Sequence, residues 1–168
     1  CVVQADAGLA LPDFTSSERN FQLISQVIGR VGRHSNESNV IIQTYEPEAP
    51  SIQFGLKQDY AGFYDFEIKN RKKQNYPPFV YLLKLTCVYK TEISAVRNSQ
   101  KEAREIRKKF SKDVQIFGPT PAFYERIGET YRWQIVVKSK KRAPLLEIAR
   151  EFQGKPQWRV DLDPPGLI

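Results

Sequence analysis

The segment QVIGRVGR at positions 26–33 holds two arginines three residues apart, each directly after a glycine. A guanidinium group keeps its charge and can grip two phosphate oxygens at once, which the ammonium of lysine cannot do. Glycine lets the backbone approach a ligand closely. Arginines that a helix delivers to a triphosphate stabilise charge on the transferring phosphoryl group. The alternative on spacing alone is a solvated arginine pair at a helix C-terminus, favoured by the helix dipole.

A second group of candidate residues lies in the basic half of the chain. Residues 79–168 carry 18 Lys and Arg against 10 Asp and Glu, whereas residues 1–78 carry 8 against 9. Excess positive charge on one region favours a polyanionic partner, although a solvated basic surface explains the same numbers. The predicted contacts are polar residues of the later strands and a cluster at the start of the last helix: Arg132, Gln134, Lys138, Lys140, Lys141, Arg142 and Arg159. Cations at a helix N-terminus oppose its dipole, so a phosphate or an acidic partner should favour the cluster.

Cysteine and histidine are too scarce for a zinc cage within this chain. Cys1, Cys87 and His34 are the only residues of these two types. Two cysteines so far apart indicate free thiols and a reducing compartment. No apolar run approaches the roughly 20 residues that span a bilayer. Since the chain opens on an apolar strand pattern and contains no methionine, we expect it to be the C-terminal piece of a longer protein.

The first part of the chain has the pattern of an α/β lobe. Residues 1–5 and 40–45 are predicted as short buried strands, and the segment between them contains an amphipathic helix. This order predicts the end of a lobe with a mostly parallel sheet, with the loop AGLALPDF placed where ligand loops gather. Residues 51–75 are predicted as helical, and YPPF at 76–79 is predicted as the domain boundary.

The second part predicts a different fold. FVYLLKLTCVYK alternates in polarity, residues 92–111 form a basic amphipathic helix, and strand patterns, a second helix and QWRVDL follow. The predicted order is strand, helix, two strands, helix and strand. This order is the ferredoxin-like arrangement, an α+β fold. Trp133 and Trp158 are in phase with inward apolar residues, so core packing is the favoured explanation for both.

QVIGRVGR resembles the sixth motif of superfamily 2 helicases, Q-x-x-G-R-x-G-R. The chain also resembles the primosomal protein N′ (PriA) family of bacterial replication-restart DNA helicases. The segments that carry this resemblance are, in order, DAGLALPDFTSSERNFQLISQVIGRVGR, DYAGFYDFEIKNRKKQNYPPF, GPTPAFYERIGETYRWQIVVKS and WRVDLDP. The resemblance covers essentially the whole chain. Ile28 and Val31 stand where small alanines are common in the motif.

The resemblance implies an ATP-dependent 3′–5′ DNA helicase that restarts stalled replication forks and assembles the primosome. It implies three regions: the end of a RecA-like helicase lobe at 1–50, a helical linker at 51–78, and a C-terminal domain similar to ribosomal protein S10 at 79–168. ATP and Mg²⁺ would bind at a site completed by regions absent from this chain, and Zn²⁺ would bind in one of those regions. The isolated chain is therefore expected to be inactive.

The resemblance also assigns roles to residues. Gln26, Gly29, Arg30 and Arg33 match nucleotide-binding positions, with Arg33 or Arg30 as the catalytic arginine finger. Asp6, Gly8, Pro12 and Asp13 match the loop near the lobe interface. The implied partners are forked and single-stranded DNA, single-stranded-DNA-binding protein, whose acidic tail would contact Arg142, and other primosome proteins. The implied location is the bacterial cytoplasm at the nucleoid, without membrane.

Two alternatives belong to other functional classes. A non-enzymatic nucleic-acid-binding module of the S10 or RNA-recognition type explains residues 79–168 but leaves residues 6–33 unexplained. A structural interaction domain of a ribosomal or assembly protein explains only the charge. A search for phosphate-gripping and zinc-binding motifs upstream in the gene would separate these possibilities.

Overall fold

The computed structural model describes Val2, residues 4–31 and residues 39–168, with only the backbone of Val31. The chain divides into two compact units, Cys1–Lys73 and Gln74–Ile168. This division lies five residues before the predicted boundary at 78/79, and it places the helices of residues 51–73 in the first unit. The three-region division into 1–50, 51–78 and 79–168 stays a prediction.

The first unit consists mainly of helices. A 3₁₀ turn at Ala7–Ala10 precedes α1 (Ser16–Val31), α2 (Pro50–Lys57) and α3 (Tyr60–Lys73). Pro50 stands in the first turn of α2, where its missing N–H is no loss. The continuous helix expected over 51–75 is interrupted, because Gln58 takes a left-handed conformation with φ of 53° and ends α2.

The strand segments of the first unit pair through a few backbone hydrogen bonds, which include one from Ala5 N–H to Gln43 O at 2.9 Å. Val2 and Ile42 form an isolated parallel bridge, with Val2 N–H donating to Ile41 O at 3.0 Å and Gln43 N–H donating to Val2 O at 2.9 Å. The bridge brings together the two segments that were predicted as strands. A RecA-like lobe with a parallel sheet stays a prediction.

The core of the first unit lies between α1 and α2. Ile24 of α1, Ile52 of α2 and Ala5 are buried together. The two helices approach so closely that a Cβ added at Gly55 would lie 2.9 Å from the Ile24 Cγ2 atom. Asn20 joins the same region through side-chain hydrogen bonds to Ala5 O and from Ser51 Oγ. The opposite side of α1 is left facing outward.

We expect Gly55→Ala to destabilise the first unit. The added methyl group must displace Ile24, which is fully buried, and overpacking of a core costs about 1–3 kcal/mol. This cost outweighs the gain of up to about 1 kcal/mol in helix propensity. Gly29→Ala is the matched control, because its Cβ would meet only the Gln58 Nε2 atom at an ordinary 3.7 Å. Amide hydrogen exchange of α1 and α2 measures the change in stability that each substitution causes. Equal changes for the two substitutions would contradict the packing argument.

The second unit confirms the predicted order of elements. It contains β1 (Tyr81–Tyr89), α4 (Glu92–Phe110), β2 (Gln115–Ile127), β3 (Thr130–Ser139), α5 (Arg142–Phe152) and β4 (Trp158–Leu162). The four strands form one sheet in the order β2-β3-β1-β4, and all three pairings are antiparallel. This is the ferredoxin-like strand order. Thr91 caps α4 by accepting the Ser94 N–H at 3.3 Å.

One face of the sheet packs on the two helices. The buried cluster joins alternate residues of β1 and β3, with one residue of β4, to the inner faces of α4 and α5: Leu83, Leu85, Cys87, Ala95, Ala103, Ile106, Phe110, Ile135, Val137, Leu145, Ile148, Phe152 and Trp158. Trp133 packs against the cluster, and Trp158 belongs to it, so the core assignment for both tryptophans is confirmed. Residues that alternate with these point to the opposite face.

β2 is longer and less regular than predicted. The segments expected as a strand and the first arm of a hairpin form one element, with register shifts between Phe117 and Thr120 and between Pro121 and Arg126. Gly118 has φ of +90°, and a Cβ there would lie 2.9 Å from Gln134 O. Only glycine suits this position, where β2 leaves the regular ladder.

Candidate functional site

The residues of the helicase-like motif that the structure describes share one exposed face of α1. Gln26, Gly29 and Arg30 are spaced i, i+3 and i+4, so they lie side by side on the helix, and all three are exposed. Arg30 is in the last turn and makes no ion pair within 4 Å in the described part of the chain. Arg33 lies outside the described residues. The described arrangement presents one amide and one guanidinium outward from a helix held by its opposite face.

Gly29 is not required by packing against the described residues of the first unit. An added Cβ would make only an ordinary van der Waals contact with Gln58. Glycine in an exposed helix interior costs up to about 1 kcal/mol relative to alanine. A glycine kept at such a position leaves room for a ligand close to the backbone.

The carboxylates of the predicted lobe-interface loop bind the chain itself. Asp6 Oδ1 accepts the Tyr45 N–H at 3.1 Å, and the Thr44 hydroxyl, with this backbone contact, lowers the pKa of Asp6. Asp13 Oδ1 accepts both the N–H and the hydroxyl of Thr15 at 3.0 Å, just before α1 begins. Both groups therefore help to shape the loop and the start of α1.

The other two predicted loop residues make the connection between these carboxylates. Gly8 lies in the 3₁₀ turn with no atom within 4 Å of an added Cβ, and Pro12 is exposed. Neither residue is held by close packing, so this side of the loop is accessible.

Three of the predicted contacts of the second unit lie on the sheet face opposite the helices. The register pairs Thr86 of β1 with Gln134 of β3 on one side and with Arg159 of β4 on the other. Arg132 lies two residues before Gln134, on the same face. These side chains line a cavity of about 300 Å³ together with Lys84, Thr86, Val88, Ala122, Phe123, Tyr124, Asp161 and Ile168. The structure thus brings Arg132, Gln134 and Arg159 together.

Lys138 departs from the exposed cation that its sequence pattern predicts. Its side chain is only 5% exposed, and its Nζ atom donates to Gln74 O at 3.2 Å. The same ammonium lies 3.3 Å from the Tyr76 ring centroid and 4.8 Å from that of Phe117. Desolvation by burial lowers the pKa of Lys138. In this position most of Lys138 serves the packing of the second unit, and the remainder lines the same cleft as Lys140 and Lys141.

The α5 cluster, defined as Lys140, Lys141 and Arg142, is exposed at the start of α5. Lys141 is the N-cap residue, and its side chain makes no capping hydrogen bond. Lys140 and Lys141 line a cleft of about 460 Å³ together with Lys112. Arg142 pairs with Asp163 through Nη2 and Oδ2 at 3.3 Å. The cluster therefore splits into two lysines facing one cleft and an arginine that already has a carboxylate partner.

The α4 row is a further basic surface, which the predicted site residues do not include. It consists of Arg97, Lys101, Arg104 and Lys108, spaced i, i+4, i+7 and i+11, all exposed. None makes an ion pair within 4 Å in the fully described second unit, whereas Lys109 pairs with Glu151 and Lys155 pairs with Glu102. The spacing is readable in the sequence. The row is therefore a predominantly basic surface of the second unit.

Residues 4–31 and 39–168, with Val2, contain no group of three or more His, Cys, Asp or Glu side chains that could hold a metal ion. No described helix is both long enough and apolar enough to cross a membrane.

Comparison with known proteins identifies the family. The sequence profile described as the primosomal protein N C-terminal domain matches residues 72–165. The chain is 39% identical over 151 residues to the replication restart protein PriA of Bacillus subtilis, covering 90% of this chain and 19% of that protein. It is 38% identical over 167 residues to PriA of Synechocystis, a match that covers 97% of this chain and 20% of that protein. It is 33% identical over 170 residues to PriA of Thermotoga maritima, a match that covers 99% of this chain and 22% of that protein.

The chain spans about a fifth of the length of the curated relatives that it matches. The profile match covers more than half of the chain and nearly all of the second unit, including both basic surfaces and the open face of the sheet. The chain therefore belongs to the primosomal protein N (PriA) family.

Proposed function

We propose that this chain is the C-terminal part of an ATP-dependent 3′–5′ DNA helicase that restarts stalled replication forks and assembles the primosome. The observation that carries the proposal is the exposed face of α1, where Gln26, Gly29 and Arg30 stand together without a packing role. In this proposal α1 supplies the sixth helicase motif, and the second unit supplies a DNA-binding domain. The first unit would complete a RecA-like lobe.

ATP would contact this chain through α1. The exposed Arg30 guanidinium suits phosphate oxygens, and the Gln26 amide suits a polar part of the nucleotide. Mg²⁺ would be held with the triphosphate by regions that this chain does not span. Zn²⁺ would also bind outside this chain, whose sequence holds only two cysteines and one histidine. Arg30 and Arg33 would act on charge that develops during phosphoryl transfer.

A direct experiment on the full-length protein tests the helicase proposal. We expect ATP hydrolysis that forked DNA stimulates, together with unwinding of the fork in the 3′–5′ direction. ATP hydrolysis that no DNA stimulates would overturn it. The second candidate, a non-enzymatic nucleic-acid-binding module, is supported by the four-stranded antiparallel sheet of the second unit. It predicts DNA or RNA binding by a full-length protein without ATP hydrolysis.

DNA binding is assigned in this proposal to the cations of the second unit. Its net charge is +8, from 18 Lys and Arg against 10 Asp and Glu. The α4 row and the lysines of the α5 cluster leave this charge uncompensated at the surface. Cations that neutralise phosphates release bound counterions, so affinity falls by about 0.7–0.9 log units per log unit of salt for each phosphate. Forked and single-stranded DNA are the proposed ligands.

We expect replacement of the whole α5 cluster by alanine to weaken DNA binding by about tenfold at low salt and to flatten the salt dependence. Fluorescence anisotropy of the 168-residue chain on forked and single-stranded DNA, at three or more salt concentrations, measures both quantities. The matched control replaces Lys69, Lys72 and Lys73 of α3, which removes the same charge from the first unit. Equal weakening by both triple variants would show that net charge acts without a defined site.

Protein partners belong to the same proposal. The Arg142 side chain is 54% exposed beside Asp163, so a carboxylate from the acidic tail of single-stranded-DNA-binding protein could exchange with Asp163 there. Other primosome proteins are proposed to dock on the intact protein. We place it in the bacterial cytoplasm, associated with the nucleoid.

A further inference from the structure

The open face of the sheet in the second unit holds two buried polar atoms without a hydrogen-bond partner. They are the Arg132 Nε atom and the Gln134 Oε1 atom, one a donor and one an acceptor. Both side chains stand on the same face of β3, two residues apart, and both line the cavity of about 300 Å³. Buried polar groups in native proteins are nearly always hydrogen-bonded. An adjacent, unmatched donor and acceptor at a cavity suit a ligand that carries both functions.

The chemistry of the lining excludes a simple anion as the best occupant. A backbone phosphodiester would satisfy Arg132, but it has no hydrogen to donate to the Gln134 Oε1 atom, and Asp161 at the same cavity would repel it. The edge of a nucleobase carries donors and acceptors side by side, and amide and guanidinium groups are the side chains that read it. Lys84 and Arg159 line the same cavity and supply positive charge for the adjoining backbone phosphates.

Aromatic rings border the same cavity. Phe123 and Tyr124 line it from the irregular part of β2, and they are 43% and 64% exposed. Their ring centroids are 5.0 Å apart in an edge-to-face arrangement. Exposed rings of this kind cost stability in water and serve as surfaces on which unstacked bases lie. The cavity has room for one base and its sugar, at the small end of ligand pockets.

We propose that this open-face pocket, defined by Arg132, Gln134, Phe123 and Tyr124, receives one unpaired base of single-stranded DNA. The inference rests on the proposed DNA-binding function and goes beyond it, because the basic surfaces contact only phosphates whereas this pocket contacts the base. A base in a duplex is stacked and cannot enter a cavity on a sheet face. The pocket therefore gives the second unit a preference for single-stranded over fully paired DNA.

The test compares two ligands that differ only in their bases. Fluorescence anisotropy measures binding of the 168-residue chain to a labelled 12-nucleotide single strand and to a labelled abasic oligomer of the same length with the same phosphates. We expect at least about fivefold tighter binding of the strand that carries bases. Equal affinities, both dependent on salt, would overturn the pocket and leave DNA binding intact; this is also the result expected if a protein segment fills the cavity. Absence of salt-dependent binding to either ligand would overturn the DNA-binding function itself.

Two variants test whether the preference for the base-carrying strand comes from the open-face pocket. Arg132→Lys keeps the charge and removes the Nε donor, and Gln134→Met keeps the length and removes the acceptor. Each is expected to lower affinity for the base-carrying strand about fivefold without changing affinity for the abasic oligomer or the salt dependence. Gln153→Met, an exposed residue outside the cavity lining, is the control and should change neither. Circular dichroism confirms folding of each variant, and a base preference that survives both folded variants would overturn the assignment.

Discussion

Arg30→Ala and Arg33→Ala in the full-length protein are each expected to lower kcat for ATP hydrolysis by about 10³-fold or more. The physical reason is that a guanidinium aimed at the transferring phosphoryl group stabilises charge that exists only in the transition state. Arg30 is exposed beside Gln26 in the last turn of α1. Arg→Lys at either position should rescue little, because an ammonium cannot span two oxygens.

Arg19→Ala is the matched control for these variants. Arg19 is an arginine of the same helix, 53% exposed, and its guanidinium lies 3.9 Å from the Asp13 carboxylate. The Asp13 side chain is buried, but Thr15 still donates two hydrogen bonds to its Oδ1 atom, so loss of the long contact with Arg19 should leave turnover near normal. DNA binding without nucleotide should be nearly unchanged in all of these variants. Near-normal ATPase activity of both Arg30→Ala and Arg33→Ala would make these arginines ordinary surface residues.

The thiol of Cys87 is expected to react at least about a hundredfold more slowly in the folded chain than in the unfolded chain at pH 8. Desolvation by burial raises the pKa of Cys87 to about 11. The thiolate is the reactive species, and its fraction at pH 8 is then about 10⁻³, against roughly 10⁻¹ for an ordinary thiol. The Sγ atom is also fully buried and donates to Ala95 O at 3.6 Å.

The measurement is the rate of reaction with a chromogenic disulfide reagent in a Cys1→Ser chain, with and without denaturant. The pKa also predicts a pH dependence of stability. Because the folded-state pKa is above the unfolded-state value, the contribution of the neutral thiol is fully present below about pH 8.5 and is lost as pH rises towards 11. Cys87→Ala should remove this part of the alkaline loss. Labelling rates that differ by less than tenfold between the folded and unfolded chains would contradict burial of the thiol.

Periodicity in the sequence was sufficient to predict the second unit. Alternating polarity in residues 79–90 and helical spacing in residues 92–111 are local patterns, and each persists over enough residues to identify its element. The order of six elements then leaves the ferredoxin-like sheet as the natural arrangement, which the strand pairings confirm. The inward residues Leu83, Ile135 and Trp158 follow from the same alternation, because a strand must turn every second side chain to the core.

The environment of individual polar side chains was not readable from these patterns. Lys138 occupies an outward position in the alternation, yet Tyr76 and Phe117, which are distant in sequence, enclose its ammonium. Similarly, the Asp13 carboxylate accepts the Thr15 N–H at the start of α1. Gln58 adopts a left-handed conformation and ends α2, although the helical spacing of apolar residues continues past it. Local patterns predict the direction of a side chain, but its burial depends on segments that only the folded chain brings near it.

The open-face pocket likewise depends partly on local sequence patterns and partly on tertiary structure. The sequence alone indicates that Arg132, Gln134 and Arg159 share the polar face of strands. Tertiary structure sets β1 between β3 and β4, so that Thr86 lies in register with both Gln134 and Arg159, and it brings the irregular end of β2 with Phe123 to the same cavity. Strand order and register are properties of non-local pairing, whose specificity comes from burying the opposite face against α4 and α5. A site built across several strands therefore exists only once the sheet has formed.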